Sequence, residues 1–311
     1  MRRTSGTFSI NAIALSVVLS VGACKQEPKK PPESEAKQVE KTPPPQPAQD
    51  SRPVNIDLSG PQPPEVHAVF FSVNGALLPL ACYNADKKQL QGGPECGNMI
   101  PSDTEVYLAS ETGSILDKVG DKKNALCELD NKPTSFATSQ IDAGASFDWA
   151  AWPRPLAALV EQVPTKTTTP RAAQLDEDES KAIMEAIHRQ KKSIKGELRG
   201  KQKASIDIDG DEKKEVFISA VVADPKDPDR QHFSGLWMAP GGDLKQLIAI
   251  ETSKRSTPET YTLRGIIDLD GNGHSELWIS LSFDGGAGER VFVIEKNSNK
   301  IRSLSNWSCG T

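Results

Sequence analysis

The sequence predicts a mainly β fold: two blade-like four-stranded repeat units in the C-terminal half, preceded by one helix and a disulfide-linked, β-rich N-terminal region. Three observations predict it. Val216, Ile218, Ala220 and Val222 recur at every second position, and Leu277, Ile279, Leu281 and Phe283 do the same 61 residues later, the period of a strand with one face in a core. Each run follows an acidic loop, Asp207-Ile208-Asp209-Gly210-Asp211 or Asp268-Leu269-Asp270-Gly271-Asn272, at the same offset. Asn74-Gly75, the dipeptide that suits a two-residue hairpin turn, stands between two apolar stretches.

The chain opens with a short basic segment, Met1-Arg2-Arg3, and an apolar run from Ile10 to Ala23. At about fourteen residues the run is too short to span a bilayer as a helix but fits a secretory signal, residues 1–23. It ends in Val21-Gly22-Ala23-Cys24, which resembles the lipobox of bacterial lipoproteins. That resemblance implies cleavage before Cys24 and a lipid anchor on its thiol, with palmitate-type acyl chains holding the protein to a membrane of the cell envelope. Lys25 follows, where an aspartate would cause retention in enterobacterial lipoproteins, so the outer membrane is favoured over the inner.

Residues 24–64 read as a tether. Eleven prolines lie between Pro28 and Pro64, mixed with Lys and Glu, and such a segment buries too little apolar surface to offset the entropy of ordering it. Polyproline II geometry at roughly 3.1 Å per residue would give it a reach of about 120 Å.

Residues 65–163 form the expected N-terminal β domain. Val66 to Val73 and Ala76 to Cys82 flank Asn74-Gly75 as a hairpin. Thr104 to Ala109 and Ser114 to Val119 form a second hairpin around Gly113, and Leu126 to Leu129 a further short strand. Between Pro133 and Pro155, Trp149 and Trp152 are read as packing residues. With Cys24 acylated, Cys82, Cys96, Cys127 and Cys309 remain, an even count that in an exported chain reads as two disulfides. Three pairings are open, and in each of them Cys309 bonds to the N-terminal part, joining the halves covalently. None of the four has the spacing of a zinc site.

Residues 164–175 are a polar linker, and residues 176–311 hold a helix and the repeats. Acidic residues at the start of Asp176 to about Lys192 and Lys191-Lys192 at its end match the helix dipole. Ile183, Ala186, Ile187 and Ile194 make one apolar face, with His188 off it in solvent. Each repeat then places a strand before its loop (Lys203 to Ile206; Tyr261 to Ile267), the alternating strand after it, and two more runs. These are Gly235 to Ala239 with Leu244 to Ile250, and Arg290 to Glu295 with Ile301 to Leu304. Gly285, Gly286 and Gly288 read as an inter-strand turn.

The loops carry oxygen ligands at matching places. Asp207, Asp209, Asp211 and Glu215 supply four carboxylates, and Asp268, Asp270, Asn272 and Glu276 three carboxylates and an amide. Backbone carbonyls of Lys213 and His274 stand where such loops donate a further ligand. Hard oxygen donors at alternate positions of a tight turn suit Ca2+, one ion per loop, and without a cation the carboxylates repel one another. A strand follows each loop and position twelve is Ile218 or Ile279, so these are not EF-hands. They resemble the Asp-x-Asp-Gly-Asp-Gly-x-x-Asp loops of FG-GAP and VCBS-type repeats, the calcium-loop units of integrin-like propellers, over about Ala204 to Leu304. The Phe-Gly and Gly-Ala-Pro elements are missing, Glu stands at the ninth position, and Glu212 replaces a glycine. Only two units are legible, so the expected structure is open and finished by the N-terminal half.

Net charge is −5 with Lys and Arg dispersed, which excludes the basic stripe of a nucleic-acid binder. No Gly-x-Ser-x-Gly, His-Glu-x-x-His or Cys-His constellation is present. The sequence therefore reads as an envelope lipoprotein whose calcium-stabilised β-repeat domain binds a protein or glycan partner or serves a structural role. The alternative is a metal-supported envelope hydrolase.

Overall fold

The computed structural model describes residues 66–73, 76–110, 113–124, 134–138, 149–152, 160–162, 173–253, 259–295 and 300–310. The signal segment, the tether with Cys24, residues 126–129 with Cys127, and Asn74-Gly75 lie outside them.

In the N-terminal part, β1 (Val66–Val73) and β2 (Ala76–Asn84) pair antiparallel. They are followed by β3 (Gln89–Gly92), the short helix α1 (Gly93–Met99), β4 (Glu105–Ser110), β5 (Gly113–Asn124), β6 (Thr134–Thr138) and β7 (Trp149–Trp152). The sheet runs β1-β7-β4-β5-β6-β2-β3, and the β1–β2 pairing closes six of these strands into a barrel with β3 lying along β2. Closure removes the free edges that would otherwise invite foreign strands. Phe70, Leu77, Val106, Leu108, Val119 and Ala150 fill one core, together with Cys82 and Cys96.

The helix α1 is a second helix where the sequence suggested one. It has no amphipathic period to reveal it. Gly92 caps it, a proline stands in its first turn, and the Cys82–Cys96 disulfide, with Cα atoms 5.8 Å apart, fastens it to β2. Gly93 has a packing reason: a Cβ there would lie 2.1 Å from the Pro79 carbonyl oxygen. Cys309 is disulfide-bonded as well, its partner lying outside the described residues.

The helix α2 (Glu177–Gln190) begins at Asp176, whose carboxylate accepts from the Glu179 amide while Glu179 reaches back to the Asp176 amide. This capping box satisfies two amides at the helix start. Glu179 is also paired with Lys203. Ile183, Ala186, Ile187 and Ile194 are buried, and His188 is exposed.

Two antiparallel sheets follow. One is four-stranded, β12-β11-β10-β9, from β9 (Leu198–Ile206), β10 (Glu215–Asp224), β11 (Asp227–Ala239) and β12 (Ile248–Ser253). The other contains β13 (Thr260–Ile267), β14 (Glu276–Phe283), β15 (Gly286–Ile294) and β16 (Ile301–Gly310). A fifth strand, β8 (Val160–Gln162), joins it by pairing with the end of β13, giving the order β16-β15-β14-β13-β8. The second sheet thus differs from the expected four strands, and its extra strand comes from the segment assigned to the N-terminal domain. Leu244 to Ile250 is likewise not one strand: Leu244–Gln246 forms a 3-10 turn capped by Asp243, and β12 starts at Ile248.

Only the last three residues of β13 are paired with β8. Its earlier backbone is satisfied by side chains of the neighbouring sheet. Gln202 Nε2 donates to the Leu263 carbonyl (2.9 Å) and Gln202 Oε1 accepts from the Leu263 amide (2.8 Å). Ser219 and Ser234 hydroxyls donate to the carbonyls of Tyr261 and Glu259. Buried backbone groups need such partners, and here they fasten sheet to sheet.

The layers are therefore α2, the four-stranded sheet, the five-stranded sheet and the barrel. Helix α2 covers Ile218, Ala220, Val222 and Trp237 on one face of the first sheet. The other face, with Phe217 and Met238, packs on Leu263, Leu277 and Ile279 of the second. The far side of the second sheet, Trp278, Val291 and Trp307, packs on Phe71, Leu78, Leu80 and Trp149 of the barrel.

Candidate metal centres

Both acidic loops join neighbouring antiparallel strands, Asp207 to Lys214 between β9 and β10 and Asp268 to Ser275 between β13 and β14. Their tight turns follow from side-chain acceptors. Asp207 Oδ1 accepts from the amides of Asp209 (3.2 Å) and Gly210 (2.8 Å), and Oδ2 from Glu212 (3.0 Å). Asp268 does the same with Asn272 (3.0 Å) and Gly273 (3.1 Å). Asp209 and Asp270 accept from the amides two residues on, Asp211 at 3.3 Å and Asn272 at 3.2 Å. The Lys213 amide donates to Asp211 Oδ1 (2.8 Å) and the His274 amide to Asn272 Oδ1 (2.7 Å).

The turns need left-handed residues. Gly210, Gly271 and Gly273 have φ of 73°, 70° and 79°, and Glu212, the counterpart of Gly273, has φ of 68°. A side chain in this region costs about 1 kcal/mol or more. Glu212→Gly is therefore expected to stabilise the protein by up to about 1 kcal/mol, less the entropy a glycine adds to the unfolded chain. Urea unfolding checks this, and a loss of stability would show that the Glu212 side chain contributes more than the strain it causes.

Between the acidic residues of each loop sits one apolar residue, and both are buried. Ile208 enters the core between the two sheets and Leu269 the core between the second sheet and the barrel. These anchors were not singled out from the sequence, although an apolar residue at the same place in both loops was the available signal.

Each loop ends in a buried carboxylate. Glu215 is 6% exposed and Glu276 3%. Glu215 accepts from the amides of Ile208 (3.1 Å) and Gly241 (3.2 Å), and Glu276 from that of Leu269 (3.1 Å). Among the described residues no Lys, Arg or His pairs with either. Burial, with Asp270 and Asp268 beside it, pushes the Glu276 carboxyl up to about 8. Buried carboxylates normally hold a basic partner or a metal ion, and these face further carboxylates instead.

The loops differ in readiness. In the first, ligand oxygens of Asp207, Asp209 and Glu215 lie within 4.8 Å of one another, so one cation could touch all three. Asp211 is turned towards Lys213, whose Nζ lies 3.2 Å from Oδ2, and the Lys213 amide first, with this Nζ second, holds the Asp211 carboxyl below the usual value. Among the described residues the carboxylates of the second loop show no such convergence, and Asn272 Nδ2 donates to Asp270 Oδ2 (2.9 Å).

The loops also adjoin each other. The Ser275 amide donates to the Ile208 carbonyl at 2.7 Å. One layer on, the same relation recurs: His67 Nδ1 of β1 lies 3.1 Å from the Leu269 carbonyl. Nothing in the sequence marked either contact.

No protein-family model matches the chain, and no curated protein or solved structure is significantly similar to it. A functional reading therefore rests on its own residues.

Proposed function

We propose that this chain is a lipid-anchored protein of the bacterial envelope whose two acidic loops each bind a calcium ion, and that the ions stiffen a β module with a binding or structural role. The observation that carries the reading is the pair of buried carboxylates, Glu215 and Glu276, with no basic partner among the described residues and further acidic side chains around them. An ion at each loop neutralises this charge and holds the turn that seats Ile208 or Leu269 in its core. The matching connectivity of β9 to β12 and β13 to β16 supports two blade-like units of the calcium-loop type, with α2 and the barrel covering their outer faces in place of further blades. Acylation of Cys24 and the proline-rich tether complete the reading, holding the module at the outer membrane within reach of a protein or glycan partner. No helix among the described residues is long and apolar enough to cross a membrane.

The test is calcium-dependent unfolding of the full chain. Calcium is expected to raise the unfolding temperature, and Asp207→Asn and Asp268→Asn are each expected to remove part of the increase.

A further inference from the structure

From the bond between the two loops we infer that occupation of the first loop by a divalent cation strengthens binding at the second. This rests on the cation reading above and adds to it a coupling between the sites.

The Ser275 amide that donates to the Ile208 carbonyl belongs to the same peptide unit as the His274 carbonyl, the backbone group expected from the loop type to serve as a ligand. A trans peptide is planar, with its N–H and C=O pointing in opposite directions. Fixing the Ser275 amide therefore fixes the direction of the His274 carbonyl. Its acceptor, Ile208, is set by the first loop: the Ile208 amide is held by Glu215 Oε2 at 3.1 Å, and Glu215 is one of the three residues whose oxygens converge. A cation on Asp207, Asp209 and Glu215 holds the Ile208 segment still. That holds the 274–275 peptide, and the next residue is Glu276, the buried carboxylate of the second loop.

The contrast between the loops gives the order. The first has its oxygens gathered, whereas the second has Asn272 turned onto Asp270. The first therefore fills at lower concentration, and the second meets a backbone already placed. Repulsion between the two ions opposes this coupling and is weakened by salt, so the titrations are run at about 0.15 M ionic strength. Linkage requires the effect to be reciprocal, so an ion at the second site tightens the first by the same factor.

The test is calorimetric titration of the full-length protein with Ca2+, repeated with Tb3+ luminescence, on the natural sequence, Asp207→Asn, Asp268→Asn and Ser275→Pro. With Asp207→Asn the remaining site is expected to bind Ca2+ roughly five- to tenfold more weakly than the second step of the natural protein, whereas Asp268→Asn, in which the second site is always empty, should bind as the first step does. Ser275→Pro deletes the donor and leaves all side-chain ligands in place, so its two sites should bind independently. Two binding events in the natural protein, with the site left in Asp207→Asn binding as tightly as the natural second step or more tightly, would overturn the coupling and leave the cation reading standing. No binding at either loop of the natural protein would overturn both.

Discussion

In EDTA the protein is expected to lose stability as pH rises from about 4.5 to about 8, and calcium is expected to abolish that loss. The cause is Glu276, whose ordinary value of 4.5 is raised to about 8 in the fold, first by burial and then by Asp270 and Asp268. Between these two values the folded protein keeps a proton that the unfolded chain has released, so stability falls with rising pH. The contribution is fully present below the unfolded value and is gone once pH passes the folded one. A shift of this size corresponds to several kcal/mol at most. Glu289 is raised in the same direction by burial, opposed by Arg264, and adds to the slope. A cation reverses the balance because it binds the deprotonated carboxylate, so calcium should stabilise more at pH 8 than at pH 5. Urea unfolding from pH 5 to 8.5, with EDTA or calcium, measures both slopes. Glu276→Gln should flatten the EDTA profile, and a natural protein with an already flat profile would remove Glu276 as the group responsible.

Leu269→Ala is expected to cost about 2–5 kcal/mol, the range for truncating a buried leucine. Leu269 is fully buried beside Trp278 and Trp307 of the second sheet and Phe71 and Leu78 of the barrel. Its amide is held by Glu276 and its carbonyl lies against His67. Truncation therefore loosens the barrel's seat and the second loop together. Denaturation should show the lower stability, and hydrogen exchange should show faster opening at β1 and at residues 268–276. Exchange confined to the substituted site would mean that loop and barrel are not joined through this residue.

What the sequence disclosed was local. The strands β10 and β14 follow from residues at every second position, α2 from its charged ends and apolar face, and the turns from glycines that have positive φ. What it concealed depends on distant partners. The strand β8 is three residues held by the edge of β13, α1 is seven residues fastened by a disulfide, and β7 acquires its place only between β1 and β4. The C-terminal part of β16, beyond Leu304, was hidden because Ser305, Asn306 and Ser308 give no apolar signal. Barrel closure, and the covering of the second sheet by the barrel, depend on pairings across the whole N-terminal half. The ten positions expected as ligands fall on the two loops and on the first residue of the strand after each. Which carboxylates converge was not legible, because it turns on whether Asp211 and Asn272 face inwards or bond to Lys213 and Asp270. The Ile208–Ser275 and Leu269–His67 contacts join residues with no shared local pattern.

The most direct measurement is thermal unfolding of the full-length protein at pH 7.5, in EDTA and across a calcium titration, beside Asp207→Asn and Asp268→Asn. Calcium at about a hundred times its dissociation constant should add about 2.7 kcal/mol per site. For a folded region of this size that is about 5–10 °C per ion, reduced in each single variant and absent when both are combined. An unfolding temperature that does not move at millimolar calcium would contradict the account and leave the two loops as acidic turns.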